Sequence, residues 1–150
     1  MPLNHSLKGQ EYQEIELEVD RDHVTRFSRA VGEEDPRFLD AEAARAEGFP
    51  DQVAFPTFPT VLGILASARI VVDPELGMDY SRVVHGEQAF EWRRPIVVGD
   101  RLRATPRIAD VYARGPNEFL VIEAEVRDAD GELVCVARST LLSRGTAEAS

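Results

Sequence analysis

The sequence predicts an α+β fold in which an antiparallel sheet of about five or six strands wraps around one long buried helix. The stretch 57–72 is apolar nearly all round, which is typical of a helix buried on most of its surface. Four strand-like segments joined by short turns follow this stretch, and consecutive hairpins make an antiparallel sheet. Such a sheet has free edges, so we expect a dimer that continues it.

The elements before the long helix are a strand and two short helices. Residues 14–19 alternate strictly between acidic and apolar side chains, which predicts a half-buried strand. Asp20 and Asp22 can cap a following helix that Gly32 ends. A second short helix is predicted over 41–47.

The long helix and the strands after it have recognisable boundaries. Thr57 is a candidate N-cap, Pro59 fits the first turn, and Asp73 followed by proline ends the helix. The Asp-Ala-Asp-Gly string at 128–131 predicts a hairpin turn. The four predicted strands cover 83–92, 101–108, 119–126 and 133–142.

Length and charge limit the class of protein. A chain of 150 residues is long enough for one domain with its own core, and we expect a single domain over 1–150 with a tail that frays from Arg144. Seventeen basic against 27 acidic residues give a net charge of −10, which disfavours nucleic acid and anionic membrane as partners.

The location is predicted from what the chain lacks. No stretch approaches the roughly 20 apolar residues of a membrane span, and the first ten residues show no signal-peptide core. Cys135, the single cysteine, rules out an internal disulfide and lies in an apolar alternating run, where we expect it to be buried. These features favour the cytoplasm.

Three strings carry a resemblance to a known family. They are AFPTF at 54–58, DYSRVVHGEQAFEWRRPIVVGDRL at 79–102 and DADGELVCVARSTLLSRG at 128–145. The chain resembles, over 7–145, the MaoC-like dehydratase N-terminal family of hot-dog proteins. Within that family it resembles the actinobacterial UPF0336-type proteins that act as the substrate-binding subunit of (3R)-hydroxyacyl-ACP dehydratase heterodimers.

The resemblance implies a fold, a substrate and a partner. The fold is the hot-dog fold, and the substrate is an acyl-ACP or acyl-CoA thioester of fatty-acid-type metabolism. The partner is a second copy of the chain or a catalytic MaoC-type hot-dog subunit.

The family's catalytic loop is degenerate in this chain. Active members carry G-D-x-N-P-x-H, in which the Asp and the His move protons during hydration. The matching heptad reads G-E-E-D-P-R-F: Gly32 and Pro36 are retained, Glu33 replaces the Asp, Asp35 replaces the Asn, and Phe38 replaces the His. Since phenylalanine cannot transfer a proton, the resemblance implies that this half-site is inactive.

The remaining candidates for chemistry are few. The long helix carries no carboxylate and no histidine, which disfavours the thioesterase-type and short-chain dehydratase-type sites of other hot-dog enzymes. His5 and His23 are expected at the surface. His85 is either a contact near the substrate tunnel or a hydrogen-bonded histidine at a strand end or subunit interface.

Substrate-binding candidates lie at two places. Arg93 and Arg94 can meet a pantetheine phosphate or an acidic carrier protein, or they can be a solvated strand end. Phe58, Leu62 and Leu65 can line an acyl tunnel or fill the core. No residue spacing suggests a metal site and no glycine-rich phosphate loop is present, so we expect no cofactor.

Three functions agree with these observations. The first is a non-catalytic, acyl-thioester-binding subunit of a hydroxyacyl dehydratase, paired with a chain that carries the Asp/His pair. The second is a self-sufficient homodimeric enoyl hydratase that uses Glu33, Asp35 or His85. The third is a non-enzymatic acyl-thioester-binding protein. The acyl chain length and the carrier, CoA or ACP, stay open.

Overall fold

The computed structural model describes residues 1–148 and contains a five-stranded antiparallel sheet in the order β1-β3-β4-β5-β2. The strands are β1 (Ile15–Glu18), β2 (Val83–Trp92), β3 (Arg101–Arg114), β4 (Asn117–Arg127) and β5 (Leu133–Ser143). β1 and β2 are the two edge strands. β2 is ten residues long and pairs, among the described residues, only with β5. The predicted class and strand number are confirmed.

Three α-helices precede or face the sheet. They are α1 (Arg21–Ala30), α2 (Ala41–Ala46) and α3 (Thr60–Val71). Asp20 caps α1 by accepting a hydrogen bond from the His23 backbone N–H at 2.8 Å, as the sequence predicts. Asp22, the other candidate cap, lies inside the helix and pairs with Arg26 instead.

The predicted strand bounds are close for β2 and short for β3. Residues 83–92 match β2 at both ends. β3 continues to Arg114, six residues beyond the predicted end at Ile108. A bulge between Ile108 and Asp110 shifts the register with β4, and this shift interrupts the apolar/polar alternation on which the sequence prediction depends.

The central helix α3 differs from its prediction in two ways. It begins at Thr60, because residues 56–59 form turns. Pro59 occupies the cap position and makes no side-chain hydrogen bond, so the predicted Thr57 N-cap is wrong. The helix also buries one stripe at helical spacing rather than most of its surface. That stripe is Leu62, Ala66 and Ile70.

The core has two halves under α3. One half gathers around Leu62 and Ala66, and the other around Ile70. Cys135 lies in the first half and is fully buried as expected, and this burial raises the pKa of its thiol to about 12. A thiol with so high a pKa is not a nucleophile at neutral pH.

The segment after β5 is held to the domain, whereas the sequence predicts fraying from Arg144. The Arg144 N–H donates to the Arg82 carbonyl at 3.1 Å, and the Ala147 N–H donates to the Pro116 carbonyl at 3.2 Å. Small polar residues predict a mobile tail only when nothing binds their backbone, and here neighbouring loops accept those hydrogen bonds. Residues 149–150 of the predicted tail lie outside the described residues.

No helix within residues 1–148 has the length and apolar character that crossing a membrane requires.

Candidate active site

The seven-residue segment 32–38, which matches the family's catalytic loop, lies between α1 and α2. Within it, the Glu33 carboxylate accepts hydrogen bonds from the backbone of the same segment. Glu33 Oε1 accepts hydrogen bonds from the N–H groups of Glu34 at 2.9 Å and Asp35 at 2.8 Å. A carboxylate held in this way orders the loop.

Asp35, which stands at the position of the motif's Asn, is also engaged locally. It caps the short 3-10 helix Pro36–Phe38 by accepting from the Arg37 N–H at 3.0 Å, and its oxygens accept from the Arg37 guanidinium at 3.1 Å. The side-chain hydrogen bond from Arg37 lowers the pKa of Asp35 below its ordinary value. Asp35 is therefore charged at neutral pH and is held by Arg37.

Phe38, at the position of the family's histidine, packs against another aromatic ring. Its ring meets Phe55 edge to face with centroids 5.6 Å apart, and the Arg37 guanidinium lies 5.8 Å from the Phe38 centroid. Phe55 belongs to the segment that leads into α3. The place from which an imidazole would act is thus filled by an apolar contact.

Gln52, which the sequence analysis does not single out, positions this loop. Its side chain is almost completely buried, and its Nε2 donates to the Thr25 hydroxyl at 2.9 Å and to the Phe38 carbonyl at 2.8 Å. The Arg21 guanidinium donates to its Oε1 at 3.3 Å. A glutamine in a polar loop gives no sequence signal of burial, so only the packing of α1 on the loop identifies it.

The three apolar tunnel candidates separate into two environments. Phe58 and Leu62 are fully buried in the first half of the core, whereas 47% of Leu65 is exposed. His23, expected at the surface, is half-buried and meets the Phe58 ring edge to face at 5.1 Å. The structure therefore brings Phe58, Leu62 and His23 together and leaves Leu65 on the open side of α3.

The two arginine candidates at the end of β2 are both paired within the chain. Arg94 donates to both oxygens of Asp100 at 2.9 and 3.0 Å and to Asp128 at 3.2 Å. The hydrogen bond to Asp100 is the main cause that raises the pKa of Arg94 above its ordinary value. Arg93 is more exposed and pairs with Glu91 at 2.9 Å. Of the two, Arg93 is the one free to turn toward an external phosphate.

His85 lies exposed on the edge strand β2. Its Nε2 is 3.2 Å from Gln88 Oε1, so the ring donates to the Gln88 amide. It lies on a different element from the degenerate loop, and no hydrogen bond joins it to Glu33 or Asp35 among the described residues.

An apolar surface remains uncovered on α3. On α3, 65% of Ile64, 47% of Leu65 and, just after the helix, 75% of Val72 are exposed. We call this surface the open helix face. Isolated exposed apolar residues are ordinary, but several grouped on one helix mark an interaction surface.

Within residues 1–148 no group of three or more His, Cys, Asp or Glu side chains is placed to hold a metal ion.

An antiparallel sheet packs on a single central helix, and the seven-residue loop 32–38 precedes that helix. This arrangement defines a hot-dog protein of the dehydratase type. The chain belongs to the family described as "FAS1-like, dehydratase domain region", which matches residues 6–137. It is 48% identical over 149 residues to a UPF0336 protein of Saccharopolyspora erythraea, covering 99% of this chain and 96% of the relative. The resemblance inferred from the three strings is confirmed.

Two solved structures share the fold. A C-terminally truncated HadBC (3R-hydroxyacyl-ACP dehydratase) complex from Mycobacterium tuberculosis superposes with a TM-score of 0.81 at 30% identity, covering 91% of this chain and 96% of the other. A MaoC-like dehydratase superposes with a TM-score of 0.86 at 25% identity, and the match covers 93% of this chain and 43% of that longer one.

Proposed function

We propose that this chain is the acyl-thioester-binding, non-catalytic subunit of a (3R)-hydroxyacyl-ACP or hydroxyacyl-CoA dehydratase. Its partner is a MaoC-type hot-dog chain with an intact G-D-x-N-P-x-H loop. The observation that carries the proposal is the loop from Gly32 to Phe38, in which the carboxylates of Glu33 and Asp35 are bound locally and the imidazole position holds a phenyl ring.

The reaction assigned to the pair is the reversible loss of water from a 3-hydroxyacyl thioester. A base takes the proton from the α carbon, an acid gives a proton to the departing 3-hydroxyl group, and a trans-2-enoyl thioester and water result. Both proton-transfer groups come from the partner. This chain contributes apolar surface for the acyl group.

Two features support a hot-dog partner rather than a free chain. The open helix face exposes apolar side chains of α3, and β2 has no strand on its outer side among the described residues. The HadBC structure to which the chain is similar is a complex. A partner that adds a strand to β2 would remove this free edge, and apolar contact with the open helix face would bury its exposed side chains.

The decisive experiment is co-expression with the hot-dog chain encoded by a neighbouring reading frame. The purified chain alone should not hydrate crotonyl-CoA or longer enoyl-CoA substrates, whereas the co-purified pair should. Strong activity of the isolated chain would instead favour the homodimeric hydratase. A pair that forms without any activity on CoA or ACP substrates would favour the non-enzymatic binding protein.

The replacement of Glu33 by Gln tests the role of the loop directly. Gln keeps an Oε1 that can accept from the Glu34 and Asp35 N–H groups but removes the charge. We expect the kcat of the pair with Glu33→Gln to stay within about twofold of wild type, because a base would lose about a hundredfold or more. The matched substitution of the Asp in the partner's intact loop should abolish turnover.

A further inference from the structure

A bulge in the edge strand β2 brings two polar side chains to the same face of the sheet. Residues 85 and 88 are three apart and would point to opposite faces of a regular strand. The register with β5 shifts between His85 and Glu87, at Gly86, so that His85 pairs with Leu141 and Gln88 pairs with Ser139. Bulges commonly re-aim side chains beside functional sites.

Both side chains lie on the side of the sheet that faces α3. Leu141 belongs to the half of the core around Ile70, and Ala137, two residues before Ser139, belongs to the half around Leu62. Cross-strand partners share a face, so His85 and Gln88 face the same side as these core residues. An added strand would occupy the edge of β2, whereas this pair points across it toward the concave side.

The Gln88 amide has a donor without an acceptor. His85 donates to Oε1, which fixes the orientation of the amide, and Nε2 is buried with no hydrogen-bond partner within residues 1–148. A buried donor without a partner is costly, so its presence requires an explanation.

The surroundings of Gln88 on this face are apolar, as the binding site of an acyl chain would be. Phe90 and Trp92 continue along the same face of β2, both half-buried, and the open helix face lies on the helix that packs above the sheet. An apolar surface with one donor suits a hydrocarbon chain next to a carbonyl group. The donor lies on the same face as Phe90 and Trp92, where a neutral carbonyl oxygen costs less to bury than a phosphate.

We propose that Gln88 is a substrate-binding residue that donates a hydrogen bond from Nε2 to a carbonyl oxygen of the acyl thioester, and that His85 is the positioning residue that holds its amide. This proposal rests on the proposed function and names the contact that the chain supplies. The carbonyl is either that of the thioester or an amide of the pantetheine arm, which share this chemistry.

The test measures binding to the heterodimer of decanoyl-CoA and of decyl-CoA, a thioether that lacks the thioester carbonyl. Gln88→Met keeps the length of the side chain and removes the donor, so decanoyl-CoA should bind about fivefold to tenfold more weakly. If decyl-CoA binding is unchanged by the substitution, the acceptor is the thioester; if it weakens equally, the acceptor is a pantetheine amide. Glu87→Gln, on the opposite face of β2, is the control and should change neither.

Two further measurements separate binding from structure. Gln88→Met removes an unpaired buried donor, so its melting temperature should be no lower than that of wild type. His85→Phe should raise KM for the enoyl thioester with little change in kcat, and His85→Gln, which restores an N–H donor, should return KM toward wild type.

Two results would overturn the assignment while leaving the dehydratase function standing. One is an unchanged Kd of the Gln88→Met pair for decanoyl-CoA. The other is that Gln88→Met weakens the heterodimer while the Kd for decanoyl-CoA does not change. A wild-type pair that binds no decanoyl-CoA would overturn both.

Discussion

At the scale of single residues, Glu118 is the buried charge with the clearest structural role. Only 1% of its side chain is exposed, and its carboxylate accepts from the Leu3 N–H at 2.9 and 3.1 Å and contacts His5 Nε2 at 2.7 Å. His5 keeps an exposed ring, as the sequence predicts, while binding this carboxylate. Glu118 thereby ties the first residues of the chain to the start of β4.

We expect Glu118→Gln to lower the free energy of unfolding by about 1–3 kcal/mol at pH 7, because the variant weakens hydrogen bonds to a buried group. Urea unfolding of the two proteins measures the difference. Glu125→Gln, at an exposed position of the same strand, is the control and should change stability by less than about 0.5 kcal/mol.

The same carboxylate predicts a pH dependence. Burial by itself would raise the pKa of Glu118, but hydrogen bonds from His5 and the Leu3 amide lower it overall. A carboxyl whose pKa is lower in the folded chain contributes its stability above the unfolded value, about 4.3, and loses it as the pH falls from there toward the folded value. The difference between wild type and Glu118→Gln should therefore be full at pH 7 and shrink below about pH 4.3. A difference that grows on acidification would contradict this role.

At the scale of elements, α3 presents a buried stripe and an open face along one helix. Leu62 is fully buried, whereas Ile64, two positions further, is 65% exposed. The two positions therefore separate folding from association.

Leu62→Ala should destabilise the isolated chain by about 2–5 kcal/mol, since it leaves a cavity in the core. Ile64→Lys should leave the melting temperature of the isolated chain within a few degrees but prevent co-purification with the hot-dog partner, because a charge would be buried at the interface. Circular dichroism and size-exclusion chromatography measure the two effects. An Ile64→Lys chain that pairs normally would place the interface elsewhere.

At the scale of the whole molecule, the free chain leaves two surfaces uncovered, the open helix face and the outer edge of β2. A partner that binds only the folded chain stabilises it by mass action. With free partner at about a hundred times Kd, this stabilisation is about 2.7 kcal/mol, or an increase of about 5 to 10 °C for a chain of this size. Calorimetry of the pair over a range of concentrations should show this rise. A melting temperature independent of partner concentration would argue against the heterodimer.

Much of the fold could be predicted from the sequence because its determinants are local. The alternation in 14–19, the apolar run after Thr57 and the turn at 128–131 depend on neighbouring residues. β1 and the β4–β5 hairpin lie where these patterns predict, and α3 lies within the predicted run although it begins at Thr60. The loss of the loop histidine is equally local, since Phe38 can be compared with the family motif position by position.

The rest depended on contacts between residues far apart in the chain. An all-apolar helix shows no preferred face in its sequence, so the burial of Leu62 and the exposure of Leu65 follow only from where the sheet lies. Glu118 and Gln52 are polar residues whose burial comes from distant backbone partners.

The sequence by itself determined the class of fold and the absence of a histidine at the loop position, because periodicity and motif are written in consecutive residues. Only the tertiary structure decided which polar groups face the concave side of the sheet. The bulge between His85 and Glu87 is a property of the pairing of β2 with β5, and that pairing, rather than any residue alone, places His85 beside Gln88.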